Sequence, residues 1–132
     1  LLAPVEGIPG HWRPMHGDFV PWNLREDSQG QLWLLDWEDV GWGPPLADFV
    51  RYVVAYYSLG GTSPARIAAI VGQAVGPESL PALAEVASFW LSHRNIDPED
   101  ISANVTRRRA KDSARAAREI AAFRVIGALP TS

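Results

Sequence analysis

The apolar residues of this chain recur with a helical period through much of its length after residue 45. Residues 46–58 leave little polar surface, which predicts a largely buried helix that Gly60–Gly61 would end. Ser63 followed by Pro64 is an N-cap with proline at the first helical position, and it predicts a second helix that ends at about Val75.

Two further helices are predicted in the remaining sequence. One extends from about Ser79 to His93, and a last, long helix opens at Asp97, which proline again follows. Each predicted helix has apolar positions that we expect to face the core. They are Leu46, Phe49, Val50, Val53, Val54 and Tyr57 in the first, Leu83, Val86, Ala87, Trp90 and Leu91 in the third, and Ala110, Ala114, Ala117, Ile120, Ala121 and Phe123 in the last.

The first third of the chain follows a different pattern. Residues 1–15 contain three prolines and are expected to be irregular. Residues 24–35 form two strand-like arms around a polar turn, which predicts a β-hairpin. Centred on Gln29–Gly30, the hairpin would set Asn23 opposite Asp36, with Cα atoms roughly 4.5–5.5 Å apart. A slip of one residue would turn one arm over, so this register is a hypothesis. The fold class is therefore mainly α with a small β-hairpin (α+β).

Three oxygen-bearing side chains flank this hairpin in a pattern that suits phosphoryl transfer. Asn23 and Asp36 offer the hard oxygen ligands that Mg²⁺ prefers, since this ion usually takes one or two protein groups together with water and phosphate. Asp18 lies five residues before Asn23, and Pro21 makes the intervening segment a loop. A loop carboxylate beside a metal-bound phosphate can accept the proton of an attacking hydroxyl.

The segments HGDFVPWNL and WLLDWEDVGWGPPLADF carry these residues. Together they resemble the catalytic core of the aminoglycoside phosphotransferase and choline kinase-like family, within the protein-kinase-like superfamily. The resemblance implies that Asp18 is the catalytic base and that Asn23 and Asp36 bind Mg²⁺ and, through it, the nucleotide. It also implies that His16 supports the loop and that Asp48 tethers the loop backbone. Taken singly, Asp18 or Asn23 could equally be an ordinary turn residue.

The resemblance covers the helical C-terminal lobe of that kinase-like fold. In the family, a preceding lobe supplies a lysine that holds the nucleotide phosphates. Fifteen residues precede His16 here, none of them lysine, and the one lysine of the chain is Lys111. We therefore expect residues 1–132 to be a single domain, the catalytic lobe, with the nucleotide-clamping lobe supplied by other sequence in the same or another chain. The isolated chain is expected to be inactive.

Charge and composition narrow the choice of partners. Eight of the fifteen acidic residues lie in residues 1–50, where an acidic surround would suit divalent cations and attract a cationic acceptor. The basic run of residues 107–111 is expected to be a solvated helix face rather than a nucleic-acid site, because the net charge is −3 and no recognition motif accompanies it. The chain has no cysteine and no apolar run as long as a membrane span, so we expect a cytoplasmic protein that binds neither membrane nor nucleic acid.

Three functions fit these residues. The first is transfer of phosphate from ATP or GTP, with Mg²⁺, to a hydroxyl of a small molecule such as an aminoglycoside, an amino alcohol or a sugar. The second is a non-catalytic remnant or binding module with the same fold. The third is a metal-dependent phosphohydrolase that would use His16, Asp18 and Asp36 as ligands to two metals.

Overall fold

The chain folds into two small antiparallel sheets followed by a helical bundle. The computed structural model describes residues 7–93 and 107–130, apart from the side chains at positions 38, 93 and 107–112. The strands are β1 (Arg13–Met15), β2 (Leu24–Glu26), β3 (Leu32–Leu34) and β4 (Gly41–Gly43). The helices are α1 (Ala47–Leu59), α2 (Pro64–Val75), α3 (Leu80–His93) and α4 (Arg107–Gly127), and 3₁₀ turns cover Pro21–Asn23, Trp37–Asp39 and Pro77–Ser79. The predicted fold class, mainly α with a small β part, is confirmed.

The helix ends follow the local sequence signals. The Ser63 Oγ accepts a hydrogen bond from the Arg66 N–H at 3.2 Å, and Pro64 occupies the first position of α2, which confirms the predicted cap. α3 begins at Leu80, one residue later than expected, and is helical up to His93, where this part of the described chain stops. The predicted start of the last helix at Asp97 lies outside the described residues, as do the side chains of the basic run in residues 107–111.

The hydrophobic core lies among the four helices, with α4 packed against the other three. Its side chains are Ala47, Val50, Val54, Ile67, Ala68, Val71, Leu83, Val86, Ala87, Phe89, Trp90, Ala122, Phe123 and Ile126. Within this core the indole N–H of Trp90 donates to the Ala47 carbonyl at 3.0 Å. α3 is thereby fixed to the first turn of α1, the turn that also carries Asp48.

Three predicted helix faces need correction, and on α3 the error concerns Leu91, which is 39% exposed. α1 buries one face only, and Phe49, Tyr56 and Leu59 on its other side are exposed. In α4, Ala114 and Ala117 are exposed, whereas the buried side chains include Ala122, Phe123, Ile126 and the charged Glu119. On α4 the difference arises because a charged residue, Glu119, occupies a core position. Glu119 accepts a hydrogen bond there from the equally buried Arg51 of α1 at 3.2 Å.

The prediction that residues 1–15 are irregular was also wrong in part. Arg13–Met15 forms β1, which pairs antiparallel with β4, so that Met15 lies opposite Gly41. Each strand is only three residues long and β1 contains a proline, which is tolerated in such a two-stranded edge pair. This pairing brings residue 16 next to the segment that follows the hairpin.

No described helix is by itself long and apolar enough to cross a membrane. Within the same residues only the consecutive pair Pro64–Val75 and Pro77–Ser92 reaches that length and composition together, and the pair is bent by 107°.

Candidate functional site

The hairpin register differs from the prediction by one residue. Leu24 pairs with Leu34, and the Leu35 N–H donates to the Asn23 carbonyl at 2.8 Å, so Leu35 rather than Asp36 lies opposite Asn23. The cause is the turn, which has three residues between Asp27 and Gln31 instead of the two expected for a turn centred on Gln29–Gly30.

Asp27 organises that turn. Its carboxylate accepts hydrogen bonds from the Gln29 and Gln31 backbone N–H groups, both at 2.9 Å, and from the Trp33 indole at 3.0 Å. These bonds stabilise the charged carboxylate, the indole bond most of all, and they lower the pKa of Asp27 below its ordinary value. The side chain of one turn residue therefore helps to fix the register of the whole hairpin.

The loop of residues 16–23, here called the Asp18 loop, is held at its start by Asp48. One carboxylate oxygen of Asp48 accepts the His16 backbone N–H at 2.8 Å, and the other accepts the Gly17 N–H at 3.2 Å. Asp48 lies in the first turn of α1, where a carboxylate also interacts favourably with the helix dipole. The loop is thus fixed directly to the helical core.

The His16 side chain is buried, and both of its ring nitrogens are engaged. Nδ1 accepts the Asp18 backbone N–H at 3.1 Å, and Nε2 donates to the Leu35 carbonyl at 2.9 Å. These partners require the tautomer with its proton on Nε2. The Trp37 ring lies edge-on to the imidazole with 4.5 Å between ring centroids. His16 therefore joins the Asp18 loop to the chain that follows β3.

Gly17 lies against the backbone of Asp39, in the segment that follows β3. Its φ is +89°, and a Cβ atom at this position would lie 2.1 Å from the Asp39 carbonyl oxygen. Only glycine fits this backbone conformation at this distance. The sequence shows a glycine between His16 and Asp18, but the contact that requires it depends on the pairing of β1 with β4, which the sequence does not predict.

Asp18 and Asn23 are in direct contact. The Asn23 Nδ2 donates to the Asp18 backbone carbonyl at 2.8 Å and to its Oδ2 at 2.9 Å. Because both partners are acceptors, the amide nitrogen must face Asp18, which leaves the Asn23 Oδ1 as the oxygen able to face a cation. Asn23 is buried and Asp18 half-buried. The other Asp18 oxygen, Oδ1, has no hydrogen-bond partner among the described residues.

Asp36 lies one residue beyond the hairpin ladder. Its backbone is left-handed, with φ 58° and ψ 71°, a conformation that aspartate adopts more readily than most residues. Its neighbours Leu35 and Trp37 both contact the His16 ring, so Asp36 belongs to the segment that lies against the Asp18 loop. The side chain is exposed, and in the described part of the chain its carboxylate has no hydrogen bond or ion pair.

The two predicted metal ligands, Asn23 and Asp36, carry oxygen atoms of the kind that Mg²⁺ binds. The described residues include no group of three or more His, Asp or Glu side chains that could hold a metal ion. The oxygens able to face a cation are the Asn23 amide and the Asp36 carboxylate, and Mg²⁺ commonly binds one or two such groups and completes its shell with water and phosphate.

Comparison with known proteins adds one match. Residues 2–89, which include both sheets and the first three helices up to Phe89, match the sequence model of the phosphotransferase enzyme family. No curated protein and no solved structure matches the chain.

Proposed function

The chain belongs to the phosphotransferase enzyme family, and from that premise we propose that it carries the base and metal-binding groups for transfer of the γ-phosphoryl group of ATP or GTP to a hydroxyl of a small molecule. The observation that carries this proposal is the direct contact between Asp18 and Asn23. It brings a carboxylate and an amide oxygen together in a loop that Asp48 and His16 hold in place.

Asp18 is proposed as the general base. Its Oδ2 is oriented by the Asn23 Nδ2, and its Oδ1 remains available to the hydroxyl of an acceptor. As the acceptor oxygen forms its bond to the γ-phosphorus, Oδ1 takes the hydroxyl proton, and the bond from the γ-phosphorus to the bridging oxygen breaks. A carboxylate with one oxygen fixed and one open suits this role.

Asn23 and Asp36 are proposed to hold Mg²⁺. The ion, when bound, would neutralise charge on the phosphate oxygens. The Asn23 amide is oriented by its two bonds to Asp18, and the left-handed backbone at Asp36 turns the chain sharply at the end of the hairpin. Asn23 is itself part of the Asp18 loop, and Asp36 lies between Leu35 and Trp37, which both contact the His16 ring.

We propose that a second, nucleotide-clamping lobe completes the enzyme, from the same or another polypeptide. Support comes from large apolar side chains on the hairpin and shortly after it, since Leu32, Trp33, Trp37 and Val40 are all more than half exposed. Where such side chains form one contiguous surface, a ligand or another protein commonly covers it.

A phosphohydrolase with His16 as a metal ligand is disfavoured by the hydrogen bonds of the imidazole. Nδ1 uses its lone pair to accept the Asp18 N–H, and Nε2 carries the proton that it donates to Leu35. Neither nitrogen offers a lone pair to a metal.

The proposed function is tested by transfer of labelled γ-phosphate, with Mg²⁺, from ATP or GTP to a panel of aminoglycosides, amino alcohols and sugars, using this chain together with the nucleotide-clamping lobe. Asp18→Asn is expected to lower the turnover number about 10²- to 10⁴-fold, the usual contribution of a general base. Glu78→Gln, the same chemical change at an exposed position in the Pro77–Ser79 turn, is the matched control and should leave transfer unchanged. Full transfer by Asp18→Asn would refute the assignment of the base.

The requirement for a second lobe is tested separately by calorimetry of residues 1–132 with Mg-ATP. Weak binding is expected, because the described residues offer no lysine for the nucleotide phosphates. Tight binding by this chain alone would contradict the second lobe without bearing on the role of Asp18.

A further inference from the structure

α4 contacts the Asp18 loop from outside the segment that matches the family. The match ends at residue 89, whereas α4 covers Arg107–Gly127. The Arg115 guanidinium carbon lies 4.3 Å from the centroid of the Trp22 ring, within the range of a cation–π interaction. This contact joins the last helix to the loop that holds the candidate base.

Trp22 is the central residue of the 3₁₀ turn Pro21–Asn23, and so it directly precedes the proposed metal ligand. The turn is closed by the Asn23 N–H, which donates to the Val20 carbonyl at 3.0 Å, and Val20 is fully buried. A side chain packed on the Trp22 ring therefore restrains the backbone from which the Asn23 amide extends.

Arg115 is itself held by a buried charge. Its Nε lies 3.9 Å from Oε1 of Glu119, one helical turn later, and the same oxygen accepts a hydrogen bond from Arg51. The Arg51 and Glu119 side chains are at most 1% exposed. Arg51 lies one turn after Asp48 on α1, so Glu119 also connects Arg115 to the helix that carries Asp48.

The stability of the fold does not by itself explain why the charged side chains of Arg51 and Glu119 are buried. A buried ion pair is weak evidence for stabilisation, because the cost of removing both charges from water offsets much of their attraction. An apolar residue at position 119 would continue the stripe that Ala122, Phe123 and Ile126 form. Arg51, Glu119 and Arg115 form a network of charged side chains. Through Arg115 this network connects α4 to Trp22 in the Asp18 loop.

We propose that Arg115 is a positioning residue, which acts through Trp22 to hold the turn that presents Asn23, and that Glu119 keeps Arg115 in place. The contacts described above support the coupling between Arg115 and the turn that presents Asn23, whereas the importance of this coupling for metal binding rests on the proposed function. The same network connects α4 through Arg51 to the helix that carries Asp48. The last helix is thus part of the machinery that shapes the site.

The test is backbone hydrogen exchange measured by NMR on the chain and on Arg115→Met, which removes the cation and keeps an apolar chain of similar length. The reporters are the Asn23 N–H, which closes the turn, and the Leu35 N–H, which donates to the Asn23 carbonyl. Their protection factors are expected to fall about two- to fivefold, as loss of a partly exposed cation–π contact predicts. The buried Val71 in α2 reports global opening, and its protection should change less.

Two further variants make the result specific. Arg124→Met removes an exposed arginine from the last turn of the same helix and should leave all three amides unchanged. Arg115→Lys keeps a cation over the ring and should restore most of the protection. Equal losses at Asn23, Leu35 and Val71 would mean a purely structural role, and no loss at Asn23 would mean no coupling; either result overturns the proposal. The experiment involves no phosphate transfer, so its outcome is independent of the Asp18→Asn assay.

Discussion

Replacement of Gly17 by alanine tests whether the Asp18 loop depends on its close approach to Asp39. The new Cβ would lie 2.1 Å from the Asp39 carbonyl oxygen and 2.8 Å from its carbonyl carbon. These are backbone atoms, so the clash is relieved only if the loop or the 3₁₀ turn Trp37–Asp39 moves. We therefore expect Gly17→Ala to destabilise the protein and to displace the loop.

Gly61 supplies a matched control. Its φ of +80° is close to that of Gly17, but a Cβ atom there would have nothing within 4 Å. At both sites, placing alanine in the left-handed region lowers the free energy of unfolding by about 1–2 kcal/mol. The less flexible unfolded chain raises it again by about 0.4–1 kcal/mol. At Gly17 alone, overpacking adds about 1–3 kcal/mol. The difference between the two variants therefore isolates the contact with Asp39.

The assay is thermal unfolding followed by circular dichroism, with the chain and both variants at one protein concentration. For a domain of this size, 1 kcal/mol corresponds to roughly 3–5 °C in Tm. Gly17→Ala is thus expected to melt roughly 3–15 °C below Gly61→Ala. Equal Tm values for the two variants would refute the argument, because they would mean that the close approach of the two segments costs nothing to relieve.

Three further predictions follow from hydrogen bonds. Asp48→Asn replaces an acceptor oxygen by an N–H group, so one N–H of the Asp18 loop loses its partner. Urea unfolding should then give a free energy of unfolding about 1–3 kcal/mol lower. An unchanged value would contradict the role of Asp48 as a tether. Trp90→Phe leaves the carbonyl at the start of α1 without its indole donor and should cost a similar amount in the same assay, whereas no loss would show that the bond is dispensable. The hydrogen bonds to Asp27 lower its pKa, so their contribution to stability is present above the ordinary value of 3.8 and is lost as the pH falls through the lower folded value. The Trp33 indole resonance should therefore titrate below pH 3.8 and stop titrating in Asp27→Asn; a midpoint at or above 3.8 would refute this sign.

The helices were the most predictable part of the fold, because their ends depend on local chemistry. Ser63 and Pro64 define the start of α2 by a side-chain cap and a fixed φ, both of which are readable in the sequence. The inward face of α4 was not readable. A charged residue in the middle of a helix indicates a solvated position unless its partner is known, and the partner of Glu119 is 68 residues away.

The site shows the same division between local and distant causes. Asp18, Asn23 and Asp36 were identified from residue type, order and spacing, which suffice to propose a base and magnesium ligands and to suggest the family. The hairpin register was missed by one residue, because it depends on the turn that the Asp27 side chain stabilises. A two-residue and a three-residue turn differ too little in composition for the sequence to separate them.

The sequence by itself determined the family, the helical class and the order of the polar groups, since these depend on residue type and short-range periodicity. The tertiary structure alone decided how the groups meet. Asp48 reaches the Asp18 loop across 32 residues, and Arg51 reaches Glu119 across 68. Such contacts arise only when the helices pack, because burial removes water as a competing partner and lets each polar group keep the one partner that the fold supplies.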